Sequence, residues 1–353
     1  MTTILANAIL KSEIVQDFDQ LGLFLQSKSK EIEEEISAAY IINPWFTIEN
    51  CELAIDSIAN LVRQKNLENW LSKYPLLPVS PTNQKKIGLI LAGNIPLVGF
   101  HDVLSVLVAG HIAMIKLSSQ DSVLTRFVLN KLIQINPVWQ SRIEIVERLA
   151  GFDAIIATGS NNTARYFDYY FGKYPHVIRK NRNSIAILNG EETKEDLENL
   201  CSDIFTYFGL GCRSVSKIYV PEGYNFSSLF EASQKYVNVD SHFKYKNNYD
   251  YNRTLLLMNN ATHLANEFLS IAENIAFQSP ISVLHYQYYS SLTSLEKELD
   301  LEKYKLQCIV SNQKTIFDSI PFGIAQHPGL FDYADNIDIL EFLQKLVETQ
   351  KEF

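Results

Sequence analysis

The spacing of apolar residues divides the chain into a helical start and a longer region in which strands and helices alternate. Over the first eighty residues the apolar positions recur every three or four residues, as in Cys51, Ala54 and Ile58, which predicts amphipathic helices. Thr47 is placed to cap the helix that contains these three residues. The acidic run 30–36 is interpreted as the solvated face of an earlier helix.

Pro75, Pro78 and Pro81 form a stiff connector after this helical start. Short apolar runs then alternate with helical patterns, and the expected elements are strand 87–92, helix 98–109, strand 112–115, helix 123–133, strand 154–157 and helix 161–170. The alternation predicts a largely parallel sheet with helices on its faces, an architecture that suits nucleotide cofactors. After the first strand the chain contains A-G-N-I-P-L-V-G instead of G-x-G-x-x-G, which disfavours a standard dinucleotide fold.

A second series of elements begins at Ser184. Its expected elements are strand 185–188, helix 194–208, a strand after Cys212, strands 254–258, 281–286 and 305–310, and a closing amphipathic helix 337–347. The chain is therefore divided into an N-terminal helical segment, 1–82, a first α/β domain, 83–183 with 320–353, and a second α/β domain, 184–319.

Cys212, in the second domain, has the sequence context of a nucleophile. It follows Gly209, Leu210 and Gly211, and it precedes an alternating apolar segment, 215–220, that is expected to form a strand. The two glycines leave room for a substrate carbonyl to approach the sulfur, and they tolerate backbone angles that larger residues resist. The alternative interpretation is a small packing cysteine, since buried cysteine is common in cores.

Composition narrows the class of protein. The 353-residue chain is 46% hydrophobic and 20% charged, as expected for a globular protein of two domains. Its formal net charge of -9 argues against non-specific binding to nucleic acid or to an anionic membrane. The start of the chain lacks the features of a secretory signal, and the apolar stretch 87–100 is too short to cross a bilayer, so we expect a cytoplasmic protein.

Neither a disulfide framework nor a metal site is predicted. The cysteines at 51, 201, 212 and 308 are scattered and form no C-x-x-C pair, and the histidines show no metal-ligand spacing. His176 and His327, near candidate site segments, are interpreted as ordinary imidazoles. The aromatic string 166–171 is interpreted as part of a helix packed against the sheet.

Several short stretches, taken in order, resemble the aldehyde dehydrogenase superfamily, and most closely its acyl-CoA reductase branch, the type that supplies aldehyde for bacterial luminescence. The stretches are Gly93-Asn94-Ile95-Pro96, Lys116-Leu117-Ser118-Ser119, Thr158-Gly159-Ser160, Phe208 to Cys212 with the strand that follows, and Ile320-Pro321-Phe322-Gly323. The resemblance covers about residues 85–330. It implies an aldehyde dehydrogenase-like α/β fold in which 83–183 with 320–353 binds NADP(H) and 184–319 is the catalytic domain.

For catalysis the resemblance implies two residues. Cys212 is the expected nucleophile, and the side-chain amide of Asn94 is expected to stabilise the oxyanion together with the Cys212 N–H. A developing negative charge needs such preorganised donors, and losing one typically costs about a hundred- to a thousandfold in rate. The alternative is that Asn94 merely caps the turn before Pro96.

For the cofactor the resemblance implies binding residues at Lys116, Ser118, Ser119, Thr158, Gly159 and Ser160. In the superfamily a lysine holds the adenosine ribose and a glutamate three residues later binds its 2'-hydroxyl; here Lys116 matches and Ser119 stands at the acidic position. A carboxylate would repel the 2'-phosphate of NADP, whereas a serine can donate to it. We therefore expect NADPH, with NADH as the alternative, and no metal.

One departure from the superfamily indicates the reaction. Aldehyde-oxidising members carry a Glu-Leu-Gly-Gly stretch upstream of the cysteine, and its glutamate activates the hydrolytic water; the corresponding region here, 177–184, lacks that base. A thioester on Cys212 would then react with another thiol or with hydride, which favours NADPH-dependent reduction of an acyl-CoA to the aldehyde. Arg179, Lys180 and Arg182 either meet phosphates of CoA or NADPH or form a solvated basic loop.

Other functions stay open at this stage. A reductase of an acyl phosphate, such as glutamyl phosphate, would share the cysteine and the cofactor. A non-catalytic binding subunit would present the N-terminal helices to a partner, and a cysteine–histidine dyad of the protease type needs only a spatial meeting of its residues. The expected partners are acyl-CoA and an acyl-activating or acyl-transferring protein, without nucleic acid and without a membrane span; homo-oligomerisation is an open alternative.

Overall fold

The computed structural model describes residues 10–312 and 318–348, which form two compact units. One unit contains 10–180 and 329–348, and the other contains 181–312 and 318–328. The first nine residues, at which a secretory signal would begin, lie outside the described residues. None of the helices within the described ranges combines the length and the apolar character needed to cross a bilayer.

The predicted helical start of the chain is confirmed. Its helices are α1 (Lys11–Leu25), α2 (Lys30–Ile42), α3 (Ile48–Leu61) and α4 (Gln64–Ser72). The hydroxyl oxygen of Thr47 accepts the N–H of Asn50 at 3.3 Å, so this residue caps α3 as expected. In α2, Ile32 and Ile36 are buried and the glutamates at 31, 33 and 34 are exposed, which confirms the solvated acidic face.

The first unit contains a parallel sheet with helices in its connections. Its strands are β1 (Lys86–Ile90), β2 (Ile112–Lys116), β3 (Ile143–Ile145), β4 (Ala154–Thr158) and β5 (His176–Arg179), and its helices are α5 (Phe100–Val108), α6 (Val123–Ile135) and α7 (Asn161–Phe171). The strand order is β3-β2-β1-β4-β5, and every neighbouring pair is parallel, as predicted. Strands β2 and β3 lie on one side of β1, and β4 and β5 lie on the other side. The switch point therefore lies between β1 and β4.

The second unit contains a six-stranded sheet in the order β11-β6-β7-β10-β9-β8. Its strands are β6 (Asn183–Ile187), β7 (Val215–Pro221), β8 (His263–Ala265), β9 (Ser270–Glu273), β10 (Val283–Tyr289) and β11 (Leu306–Val310), and its helices are α8 (Lys194–Phe205), α9 (Ser227–Ser233), α10 (Phe243–Met258) and α11 (Leu292–Glu302). The β8–β9 pair is antiparallel and the other neighbouring pairs are parallel. Parallel strands of this kind are buried on both faces, and β7 is accordingly an almost continuous buried run.

The strand predicted at 254–258 is wrong, because these residues form the end of α10. Tyr245 and Tyr249 are buried one helical turn apart on this helix, and the apolar run lies beyond them. Leu257 and Met258 are 58% and 75% exposed, so the run does not enter a sheet. A short apolar run has no periodicity that distinguishes a strand from a helix end.

The interpretation of the aromatic string 166–171 as core is also wrong for three of its members. Tyr166, Tyr169 and Tyr170 are all more than half exposed on α7. Phe171 does pack inward, with its ring centroid 5.8 Å from that of Phe152. On a helix, five aromatic residues among six consecutive positions necessarily point to more than one face, and only one face meets the sheet.

The C-terminal segment belongs to the first unit, where it ends in α12 (Ile339–Glu348). The indole N–H of Trp70 donates to the Tyr333 hydroxyl at 2.7 Å, and the Tyr74 hydroxyl donates to Asp338 at 2.5 Å. These bonds satisfy polar groups of large, buried side chains, which would otherwise destabilise the fold. They fasten the segment to the N-terminal helices.

Candidate active site

The loops predicted to bind the cofactor leave the same edge of the first sheet. The loop with Asn94 follows β1, the stretch 116–119 begins at the last residue of β2, and 158–160 begins at the last residue of β4. Ile90 of β1 lies in register with Lys116 on one side and Ala157 on the other, so the three loops start from neighbouring positions. The loops after β1 and β4 flank the switch point, the place where open parallel sheets bind ligands, and the loop after β2 lies next to the β1 loop.

The loops after β1 and β2 are interlocked at Gly93. A Cβ at this position would lie 2.6 Å from the Cβ of Ser118, closer still to the Ser118 hydroxyl, and 3.2 Å from the Asp121 amide nitrogen. Real Cβ atoms essentially never approach other atoms so closely. Glycine is therefore required immediately before Asn94, because the turn packs directly against the Ser118 side chain.

Asp121 holds the other end of the Asn94 turn. Its carboxylate accepts the N–H of Leu97 at 2.7 Å and the hydroxyl of Thr125 at 3.1 Å. Leu97 has a positive φ of 56°, a left-handed conformation that is costly for a leucine and has to be held in place. Burial raises the pKa of Asp121 to about 7, although the Leu97 N–H and the Thr125 hydroxyl lower it.

We expect Gly93→Ala to destabilise the protein by about 1–3 kcal/mol, the usual cost of an overpacked position. Ser118→Gly removes both atoms of the clash, so the double variant should recover most of the lost stability. Chemical denaturation of the single and double variants measures this coupling.

Gly329→Ala is the control, because a Cβ there meets no atom closer than the Asp332 carboxylate at 3.4 Å. The interlocking of the two loops would be contradicted if Gly93→Ala and Gly329→Ala proved equally stable, or if Ser118→Gly gave no recovery.

The stretch 158–160 forms the start of α7. The Ser160 hydroxyl accepts the N–H of Thr163 at 3.2 Å and so caps the helix. A Cβ at Gly159 would lie 2.9 Å from the Phe167 ring, so this glycine permits close packing of the turn against the helix. The free amides at a helix start attract phosphate groups, and here they lie beside the switch point.

The side chains that are predicted to bind the cofactor differ in their exposure to solvent. Lys116, Ser119 and Ser160 are exposed, while Ser118 and Thr158 are half-buried. The exposed side chains are therefore accessible to a ligand at the sheet edge. Ser118 has the structural role described above as well.

The basic residues upstream of the cysteine differ in their surroundings. Arg179 is 5% exposed, and its guanidinium donates to the buried Asp102 carboxylate at 2.5 Å. This ion pair lies inside the first unit, so the expectation that Arg179 meets a phosphate or lies in a solvated loop is wrong. Lys180 is exposed, and its ammonium lies 3.8 Å from Asp168.

In the second unit, a strained turn leads to Cys212. Tyr207, Phe208 and Gly209 all have positive φ, at 54°, 56° and 73°. Only the glycine adopts this conformation without cost, and strain of this kind in non-glycine residues clusters at functional sites. The Phe208 ring is held by the imidazole of His242, with 4.5 Å between the ring centroids.

The burial of the thiols separates the cysteines into two pairs. Cys51 and Cys201 are fully buried, and burial raises the pKa of each to about 12, so both are neutral packing thiols. Cys212 and Cys308 are half-buried and accessible to reagents. Of these two, Cys212 lies three residues after the strained turn, and Cys308 lies in β11.

The backbone of the cysteine turn is braced from both sides. The Ser184 hydroxyl, at the start of the sheet, donates to the Cys212 carbonyl at 2.9 Å and contacts the Cys308 sulfur at 2.9 Å. The Arg213 guanidinium donates to the Ala325 carbonyl at 2.6 Å. The Cys212 carbonyl and the Arg213 side chain are thus both held by other residues of the second unit.

Two of these bracing residues, Asp121 and Ser184, were missed at the sequence level. Each acts through a hydrogen bond to a main-chain atom, 24 and 28 residues away respectively. No local pattern marks such a partner. Asp121 follows the second strand, where an aspartate is also a common turn residue, so its position in the sequence does not reveal its role.

The histidines near the candidate segments are unremarkable in their contacts. His176 and His327 are both exposed, and the His176 ring nitrogen lies 2.8 Å from the Tyr174 carbonyl. In 10–312 and 318–348, no group of three histidine, cysteine or carboxylate side chains could hold a metal ion.

Comparison with solved structures assigns the fold to the aldehyde dehydrogenases. Aldehyde dehydrogenase 21 from Physcomitrella patens, in complex with its product succinate, is 14% identical with a TM-score of 0.69 over 98% of this chain and 86% of its own. An NAD+ complex of an aldehyde dehydrogenase from Bacillus cereus is 12% identical with a TM-score of 0.60 over 87% and 73%. An NADP-dependent enzyme from E. coli is 12% identical with a TM-score of 0.63 over 89% and 76%.

The family is defined more narrowly by sequence. The sequence model of the acyl-CoA reductase (LuxC) family matches residues 52–233, just over half of the chain, and this segment includes both Asn94 and Cys212. The chain belongs to the acyl-CoA reductase (LuxC) family. It is an oxidoreductase that acts on acyl or aldehyde groups. No curated protein sequence matches it.

Proposed function

We propose that this protein is an NADPH-dependent acyl-CoA reductase in which Cys212 forms the acyl-enzyme. The observation that carries the proposal is the half-buried thiol of Cys212, which follows the left-handed turn 207–209 and has its carbonyl held by Ser184, in a chain of this family. A reactive cysteine has to be accessible and held, whereas Cys51 and Cys201 are buried and inert.

In the proposed reaction, the Cys212 thiolate attacks the carbonyl carbon of the acyl-CoA thioester. The Asn94 amide and the Cys212 N–H stabilise the oxyanion of the tetrahedral intermediate. Collapse of the intermediate breaks the bond to the CoA sulfur, and CoA leaves as its thiol after taking a proton. The acyl group then remains on Cys212 as a thioester, ready to be reduced.

The loops of the first unit fit a nicotinamide cofactor. The α7 N-terminus supplies amides for a pyrophosphate, and the glycines at 93 and 159 allow the loops after β1 and β4 to pack tightly beside the switch point. Lys116 and Ser119 are exposed at the end of β2, where they can bind a ribose and its 2'-phosphate. When bound, the cofactor supplies the hydride that converts the thioester to the aldehyde.

The absence of a water-activating glutamate upstream of the cysteine supports reduction over hydrolysis. In the region 177–184 no acidic residue is present. Arg179, within this region, is a protonated guanidinium with no acceptor, so it cannot replace the base. The acyl-enzyme therefore persists until hydride or a thiol reaches it.

The function is tested by loss of NADPH absorbance when the purified protein meets acyl-CoAs of graded chain length. We expect turnover with acyl-CoAs, a chain-length optimum, and slower turnover with NADH. Ser119→Glu should shift the preference towards NADH, because the carboxylate repels a 2'-phosphate.

Two results would overturn the proposal. Turnover of acyl phosphates without turnover of acyl-CoAs would move the protein to acyl phosphate reduction. Binding of NADPH with neither activity, and without selective alkylation of Cys212, would favour a non-catalytic binding subunit.

A further inference from the structure

A buried carboxylate, Asp203, lies behind the cysteine turn. It is fully buried in the last part of α8, nine residues before Cys212. Its two oxygens accept the N–H of Gly323 at 2.7 Å and the N–H of Ala325 at 3.0 Å. The Asp203 side chain thus binds the main-chain amides of two residues in the segment 323–326.

The segment 323–326 in turn holds the residues that follow the nucleophile. The Ala325 carbonyl accepts the Arg213 guanidinium N–H at 2.6 Å. The Gln326 amide donates to the Ser214 hydroxyl at 3.3 Å and to the Asp203 main-chain carbonyl at 3.4 Å. Asp203 is therefore connected to both residues immediately after Cys212 through one short segment.

The electrostatics of this arrangement are simple. Burial raises the pKa of Asp203 to about 6, and the amides of Gly323 and Ala325 and the positive charge of Arg213 act in the opposite direction. On the same helix, burial raises the pKa of Cys201 to about 12, and the charge of Asp203 contributes, so this thiol stays neutral. Among the described residues, Arg213 is the charged side chain that favours the ionised form of Asp203.

We propose that Asp203 is a positioning residue for the nucleophile: through Gly323 and Ala325 it fixes Arg213 and Ser214, and thereby the orientation of the Cys212 turn. This role rests on the proposed function of Cys212, and it goes beyond it by assigning a residue that touches neither substrate nor cofactor. Charged hydrogen bonds to two amides are stronger than neutral ones, so loss of the charge loosens the segment.

The test is the rate at which iodoacetamide alkylates Cys212, followed by mass spectrometry of the peptide that contains it, in wild type and Asp203→Asn. Asparagine has one acceptor where the carboxylate has two, and its NH2 group would oppose one amide. We expect kcat/KM to fall by about 10- to 100-fold, as for a nucleophile misplaced by about an ångström from a bound substrate, with the loss in kcat. The alkylation rate should fall as well, because the thiolate fraction depends on the surroundings that the fixed turn gives the sulfur. Asp203→Glu keeps the charge and should recover part of the loss.

The pH profile provides a readout that a purely structural role would not change. In wild type the logarithm of the alkylation rate should fall by about one unit per pH unit where only the thiol titrates, and more steeply below pH about 6, where Asp203 gains a proton. Asp203→Asn should keep the slope of about one throughout.

A matched control is Asp17→Asn in the first unit. Asp17 is also a buried carboxylate, which accepts N–H groups of Asn136 and Trp139 at 2.9 Å, and burial raises its pKa. This variant should lose stability and leave the alkylation rate of Cys212 unchanged. If Asp203→Asn does not fold, Gln326→Met cuts the link to Ser214 and should slow alkylation on its own.

The proposal is overturned if the Asp203 and Gln326 variants alkylate at the wild-type rate, or if wild type shows no steepening below pH about 6. Alkylation needs neither acyl-CoA nor NADPH, so this result is independent of the substrate. A protein that reduces no acyl-CoA but shows the Asp203 effect on alkylation would refute the proposed substrate and support the positioning role.

Discussion

Cys212→Ala is expected to abolish acyl-CoA reduction, with a loss of kcat/KM of at least about a thousandfold, because the variant lacks the thiol on which the proposed acyl-enzyme forms. The variant should still bind NADPH, since the loops implicated in cofactor binding lie in the first unit and are braced there by Asp121 and Ser118. Turnover is measured by NADPH absorbance, and cofactor affinity by quenching or calorimetry. The two measurements together separate lost chemistry from lost folding.

The acyl-enzyme itself can be observed. Wild-type protein mixed with acyl-CoA in the absence of cofactor should gain the mass of one acyl group on the peptide that contains Cys212, with release of one equivalent of CoA thiol. Cys308→Ser is the matched control, because Cys308 is the other half-buried thiol and also contacts Ser184. An acyl group found on Cys308, or full turnover by Cys212→Ala, would show that the nucleophile has been misassigned.

Asn94→Ala is expected to lower kcat by about a hundred- to a thousandfold while KM changes little, as for loss of one oxyanion donor. Asn94→Asp should be at least as slow, since a carboxylate cannot donate and repels the oxyanion. Asn94 is exposed, so neither variant should lose much stability. The measurement is steady-state kinetics with the preferred acyl-CoA, run beside thermal unfolding.

Alkylation of Cys212 gives the control for Asn94→Ala. Iodoacetamide reacts without forming an oxyanion, so Asn94→Ala should alkylate at the wild-type rate if the asparagine acts only on the tetrahedral intermediate. Asn94→Asp is not used in this control, because its carboxylate would also disfavour the thiolate. A variant with wild-type kcat would instead support the simpler role, in which Asn94 only caps the turn before Pro96.

Much of the fold could be predicted from the chain because its elements have clear periods. The parallel sheet of the first unit follows from strands such as β1 and β4, whose runs are apolar and bounded by turns. The short strands β3 and β5, with three and four residues, were not predicted, since so few residues carry no period. The helix end at 254–258 was mistaken for a strand for the same reason.

The candidate site shows the same division between local and non-local information. Cys212, Asn94 and the stretches 116–119 and 158–160 were recognisable because turns, glycines and strand ends are local features of the sequence. Asp203 was not, because its contact with Gly323 joins residues 120 positions apart and its importance depends on complete burial.

The sequence by itself thus determined the helical start, the alternation of strands and helices around β1, β2 and β4, the identity of the nucleophile candidate and the family to which its motifs point. The tertiary structure alone decided which side chains hold those motifs in place: Ser118 against Gly93, Asp121 on Leu97, and Asp203 behind Arg213. Periodicity and turn preferences act between neighbouring residues, so they can be deduced from the chain. Burial and hydrogen-bond partners across the fold arise only when distant segments pack together.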